Sequence, residues 1–178
     1  MDKTKKEKNN YAFIDAANLH KGIKSLNWEL DYGRFKIWLK EKYSVSIAYL
    51  FIGLIPKYKD LYTDLQEAGF TLIYKEVVYD GDGKPKGNCD ADLVLKVMQD
   101  TYENVFDKAV IVTSDGDYAG LIKHLLGKDK LAAILSPAGV KKCSVLLKRT
   151  NAIITYLNDK KAILEAQKEK APDEDETS

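Results

Sequence analysis

Cysteine is scarce in this chain. Cys89 and Cys143 are the only two in 178 residues. They are too few for a disulfide scaffold and lack CxxC spacing, so each reads as a structural thiol. Histidine is equally scarce, at two. His20 and His124 have no serine or cysteine context, which argues against a nucleophile–histidine pair and against a zinc site. Both read as surface or helix-edge residues. Gly-rich phosphate loops of the GxxxxGK[ST] and GxGxxG kinds are absent. No apolar run is long enough to span a bilayer; the longest, Tyr49 to Ile55, is interrupted by Gly53. The N-terminus has charges but no apolar stretch of the secretory kind. The expectation is therefore a cytoplasmic protein with no membrane partner. An excess of one charge sign is missing too: 28 Lys and Arg face 27 Asp and Glu, for a formal net charge of +1. That excludes a generally basic protein coating nucleic acid without specificity.

What is present suits one domain of ordinary globular composition. Residues 1–10 carry Lys3, Lys5, Lys6 and Lys8 and read as a flexible basic tail. Residues 165–178 end in an acidic run after Pro172 and read as a second disordered tail. Between them, over 11–164, apolar runs alternate with amphipathic stretches. Strands are expected at Tyr11–Ile14, Val45–Ile52, Thr71–Val78, Ala109–Thr113, Leu131–Leu135 and Ala152–Tyr156. Helices are expected over Leu19–Leu26, after Asp31, and over Tyr58–Ala68, Asp90–Tyr102, Tyr118–Leu126, Lys141–Leu147 and Asp159–Lys168. Alternation of this kind predicts an α/β fold, a mostly parallel sheet with helices on both faces. In such sheets ligand sites form beyond the C-terminal strand ends, where strand order reverses.

Acids fall at that edge. Asp15 follows the first strand, and Asp115 and Asp117 follow the fourth, in Thr113-Ser-Asp-Gly-Asp117. Each alone is a plausible helix N-cap. Asp90 adds a different signal. At 100° per residue it points with Val94, Val97 and Met98, the apolar stripe of its helix. Asp92 and Lys96 lie opposite, spaced for a solvent-facing i,i+4 pair. A carboxylate on a buried stripe needs a partner: either its own helix end or a pocket shared with Asp15 and Asp115. Two unit charges at 4 Å repel by about 4 kcal/mol at an effective dielectric near 20. Four converging carboxylates therefore call for a divalent cation. An all-oxygen set suits Mg²⁺ or Mn²⁺ better than Zn²⁺ and points to phosphoryl transfer or phosphodiester hydrolysis.

Three segments in order, Phe13-Ile-Asp-Ala-Ala-Asn-Leu19, Lys86-Gly-Asn-Cys-Asp-Ala-Asp-Leu93 and Val112-Thr-Ser-Asp-Gly-Asp-Tyr118, resemble NYN-domain proteins of the LabA-like group within the PIN-like nuclease superfamily. Ser136-Pro137 and the segment through Leu157 extend the resemblance over about residues 11–157. It implies a Rossmann-like three-layer α/β/α domain with strand order 3-2-1-4-5. It implies a metal-dependent ribonuclease, with Asp15, Asp90, Asp115 and Asp117 holding Mg²⁺ or Mn²⁺ and RNA as the substrate. Asn18 would orient the first Asp or a water. Lys86 would touch a phosphate or else be a solvated loop lysine. Ser114 and Ser136 join the substrate-binding set, and a homodimer is possible. Ala16 replaces a usual Gly, and Thr113-Ser114 a usual Ser-Gly. Two other readings stay open: a Mg²⁺-dependent phosphatase of the haloacid-dehalogenase or Toprim kind, and a non-catalytic RNA-binding module. The first Asp lacks the DxDxT context of the former, and four bare acids would not serve a polyanion binder.

Two further features are set aside. Asp80-Gly-Asp-Gly83 begins like an EF-hand loop, but Lys84 and Pro85 stand where a ligand and a turn glycine belong, so a hairpin-like loop is expected. Tyr43, Tyr49, Tyr58, Tyr62 and Tyr79 could stack on bases, although packing roles account for them as well.

Overall fold

The computed structural model describes residues 8–79, 81–82, 85–86 and 89–167. Six parallel strands form the central sheet: β1 (Asn10–Asp15), β2 (Val45–Leu54), β3 (Thr71–Glu76), β6 (Ala109–Val112), β7 (Leu131–Ser136) and β8 (Ile154–Tyr156). A two-stranded antiparallel hairpin, β4 (Val78–Tyr79) with β5 (Pro85–Lys86), stands apart from it. The sheet runs β3-β2-β1-β6-β7-β8. Counted within the sheet alone this is 3-2-1-4-5-6, the expected order with one more strand at the edge.

The central strands are apolar on both sides because both faces are covered. Ala12 and Ile14 of β1 pack with α1 (Ala16–Lys24), α2 (Tyr32–Tyr43) and Leu65 of α3 (Lys59–Glu67). Phe13 packs on the other face with Leu93 and Val97 of α4 (Asp90–Tyr102), Ile122 of α5 (Ala119–Gly127) and Leu147 of α6 (Val145–Lys148). Helices α1 to α3 thus cover one face and α4 to α6 the other. The chain changes face between β3 and β6, which leaves β1 beside β6 at the reversal point.

Local chemistry sets the helix ends. Asp31 accepts from the Arg34 amide at 2.9 Å and starts α2. Gly69, at φ +90°, stops the helix before β3 in a conformation that glycine adopts without strain. The expected helix over 141–147 is shorter, because the Ser144 amide donates to the Ser114 carbonyl at 3.1 Å and its hydroxyl caps Leu146. The expected helix over 159–168 is reduced to a turn and α7 (Lys161–Leu164). Its cause is tertiary: Glu165 pairs with Leu30 in an antiparallel bridge, and Ala166 donates to the Glu29 carbonyl. The third strand breaks at Val77, whose side chain covers Gly53, and the chain then turns into the hairpin. Gly81 and Asp82 form its turn; Asp80, Gly83 and Lys84 lie outside the described residues. Among the described residues no helix is long and apolar enough to cross a membrane.

Candidate metal centre

The reversal point carries the acids. Asp15 ends β1 and caps α1, its Oδ1 accepting from the Asn18 amide at 2.9 Å. Asp115 lies three residues past the end of β6, and its Oδ1 accepts from the Asp117 amide at 3.0 Å. Capping and convergence are thus compatible, since each carboxylate has a second oxygen beyond the one that serves the backbone. Gly116 lets this turn fit, because a Cβ there would collide with the Ser144 hydroxyl and press on Leu146.

Asp90 reaches the same crevice from the first turn of α4. One oxygen each from Asp90, Asp115 and Asp117 lies within 4.8 Å of the others. The donor set is all carboxylate, and Asp90 and Asp115 are half-buried, so it fits a hard divalent cation. Asp15 sits just behind, only 8% exposed, and is not part of this oxygen triplet. Burial pushes its carboxyl above the usual range and the Asn18 amide opposes that; the charges of Asp90 and Asp115 push it further up.

Tyr118, expected only as the start of a helix, links the two parts. It is 1% exposed; its hydroxyl donates to Asp90 Oδ1 at 2.7 Å and lies 3.4 Å from Asp15 Oδ2. Burial, then the bond to Asp90, pushes its phenol well above the ordinary value, so it is a fixed donor. Its place one residue after Asp117 was the available signal. Lys75 was also overlooked. From β3 its Nζ meets Asp92 Oδ2 at 2.8 Å. The expected Asp92–Lys96 pair does not form, because Lys96 instead reaches buried Asp100 at 2.8 Å and lies over the Tyr49 ring.

Asn18 and Ser114 join the two acidic strand ends. The Asn18 side-chain oxygen accepts from both the Ser114 amide and the Ser114 hydroxyl, each at 2.8 Å. Ser136 is fully buried and donates to the Ala138 carbonyl at 2.9 Å, so its hydroxyl shapes the turn after β7. Lys86 lies in β5, where only the backbone is described. His20 and His124 are exposed. Cys89, next to Asp90, has its thiol pushed up to about 11, by burial first and then by the charges of Asp15 and Asp92. A groove of about 1520 Å³ lies along α1 and α7, lined by Ile23, Trp28, Tyr32 and Leu61, but none of Asp15, Asp90, Asp115 and Asp117 lines it.

With this geometry in view, comparison with known proteins is informative. The family model described as NYN domain matches residues 11–157. No curated protein matches. Among solved structures, a protein of unknown function from Vibrio parahaemolyticus RIMD 2210633 superposes with a TM-score of 0.73 at 17% sequence identity, over 92% of this chain and 99% of that one. That similarity establishes the shared fold.

Proposed function

The chain belongs to the NYN domain family, within the PIN-like superfamily, and from that premise we propose that it is a metal-dependent ribonuclease. It would hydrolyse RNA phosphodiester bonds. The observation that carries this reading is the meeting of Asp90, Asp115 and Asp117 within 4.8 Å at the strand reversal. These three carboxylates would hold Mg²⁺ or Mn²⁺, with Asp15 completing the acidic wall behind them. When bound, a divalent cation supplies Lewis acidity toward both a phosphodiester and a water.

The protein's own groups have distinct tasks. Tyr118 donates to one oxygen of Asp90 and fixes the direction of that carboxylate. Asn18 holds the loop after β6 against α1, which sets the separation of Asp15 from Asp115. Asp117 stands at the exposed rim, where it can accept a proton from a water approaching a phosphate. Lys86, in the hairpin preceding α4, would meet a phosphate oxygen. Ser114 acts through its bond to Asn18, and Ser136 through the turn it stabilises.

The test is a time course on labelled RNA in Mg²⁺, Mn²⁺ or EDTA, beside Asp15→Asn and Asp115→Asn proteins. Cleavage that needs metal and is lost in both variants is expected. Full activity in either variant, or unchanged activity in EDTA, would overturn the assignment. RNA binding without cleavage in Mn²⁺ would favour a binding module.

A further inference from the structure

Two stretches of this chain are free of acids and rich in bases, and the fold places both against the acidic centre. Residues 16–28 contain His20, Lys21 and Lys24 with no Asp or Glu; residues 137–158 contain Lys141, Lys142, Lys148 and Arg149, again with none. They are in direct contact. A Cβ on Gly22 would stand 2.7 Å from Pro137 Cβ, so α1 and the turn after β7 touch without a gap. Each is also tied to the loop that carries Asp115 and Asp117, the first through Asn18 and Ser114, the second through the Ser144 amide and the Ser114 carbonyl.

The cations on this surface are uncommitted. Lys21, Lys24, Lys141, Lys142 and Arg149 are exposed, and none forms an ion pair among the described residues. Other lysines pair with acids, Lys75 with Asp92, Lys96 with Asp100 and Lys108 with Asp129, while Lys40 and Lys42 on α2 are exposed without an ion pair and serve as a control for exposed charge alone. Lys148 is used locally, donating to the Val140 carbonyl at 2.5 Å. A near-neutral protein thus carries acid-free basic stretches on the two segments that brace the loop of Asp115 and Asp117. Lys21 and Lys24 suit the C-terminal end of α1, but no carboxylate of the described residues pairs with them or with Lys141, Lys142 and Arg149. Exposed, flexible lysines suit a polyanion with repeated charges, which they contact without fixing its sequence.

We infer that α1 and the 137–149 segment form a shelf that binds the phosphates of a single-stranded RNA flanking the scissile bond. The choice of RNA rests on the ribonuclease reading; the polyanion shelf rests on the charges. Sequence selection is not expected from this surface, because phosphate contacts position a strand and bases are read elsewhere.

The test measures equilibrium binding of a labelled single-stranded RNA in EDTA, where cleavage does not compete, across a salt series. The proteins are wild type, Lys141→Glu with Lys142→Glu, Lys21→Glu with Lys24→Glu, and a control, Lys40→Glu with Lys42→Glu on α2. Milder Lys→Gln versions guard against unfolding, checked by circular dichroism. Each shelf pair should weaken binding at least tenfold. Each should lower the slope of log affinity against log salt by about 1.4, from about 0.7 per phosphate contact on a single strand. The control pair should change neither. Equal losses in control and shelf variants, or unchanged affinity in both shelf pairs, would overturn the inference. Because binding is read without metal, an enzyme that fails to cleave would remove the ribonuclease reading and leave this result standing on its own.

Discussion

Replacing Asp115 by Asn should make the metal-free protein more stable, the reverse of what an active-site substitution in a well-packed site commonly does. Three carboxylate oxygens stand within 4.8 Å of one another. At that separation each charged pair repels by about 0.9 kcal/mol in bulk water and about 3.5 kcal/mol at an effective dielectric near 20. Asp115 is half-buried and faces two such partners, so the limits for it double to about 1.7 and 7 kcal/mol, and relief falls near the lower one after screening, on the order of 2–3 kcal/mol. Asn keeps an oxygen able to accept from the Asp117 amide, so the turn at Gly116 is retained. For a domain of this size the melting temperature should rise by about 2–4 °C per kcal/mol. The assay is a pair of thermal melts, one in EDTA and one in Mn²⁺. Wild type should melt lower in EDTA and rise with Mn²⁺, since an ion that binds only the folded state stabilises it. Asp115→Asn should start higher and respond weakly. A variant that melts below wild type in EDTA, or that gains as much from Mn²⁺, would refute the idea that like-charge repulsion at this crevice is waiting for a cation.

Tyr118→Phe removes a buried donor to a carboxylate and should cost about 1.5–3 kcal/mol in urea unfolding; it should also weaken Mn²⁺ binding in calorimetry, and an unchanged affinity would show that Asp90 needs no such support. Gly22→Ala forces a methyl against Pro137 backbone and ring, so a loss of about 1–3 kcal/mol is expected, read from the denaturant midpoint. The Cys89 thiol at about 11 leaves a thiolate fraction at pH 8 about a hundredfold below that of a thiol at 9.0. Its alkylation should therefore be slow and should quicken about tenfold per pH unit well above neutrality. A rate that levels off near pH 9 would contradict that environment, and Cys143→Ser isolates the signal.

The strands and the positions of Asp15, Asp90 and Asp115 were legible because each is written locally, whereas the strand order followed from the resemblance to NYN-domain proteins. Apolar runs mark buried parallel strands, and an acid just past such a run can hardly avoid the reversal edge. Asp90 was legible by helix phase, since it shares a stripe with Val97. Tyr118 was not, because a tyrosine on an apolar face gives no sign of where its hydroxyl ends. The Asp92–Lys96 pairing failed for a similar reason: i,i+4 spacing permits a pair, but Lys75 from β3 and Asp100 from one turn further on offered each partner a closer alternative. The short α6 and α7 reflect tertiary competition, from Ser114 and from Leu30, that no local propensity encodes.

The bond between Asn18 and the Ser114 amide and hydroxyl has a kinetic side. It fastens two strand ends that already lie side by side in the middle of the sheet, so the spacing of the acids is set when the core closes. Phe13, Ile14, Ile111 and Val112, all fully buried, oppose the mutual repulsion of the acids above them. A cation arriving later would meet a seat already shaped, and little of its binding energy would go into rearranging the chain. Capture should then be limited by the shedding of the ion's own waters, a step the protein does not control.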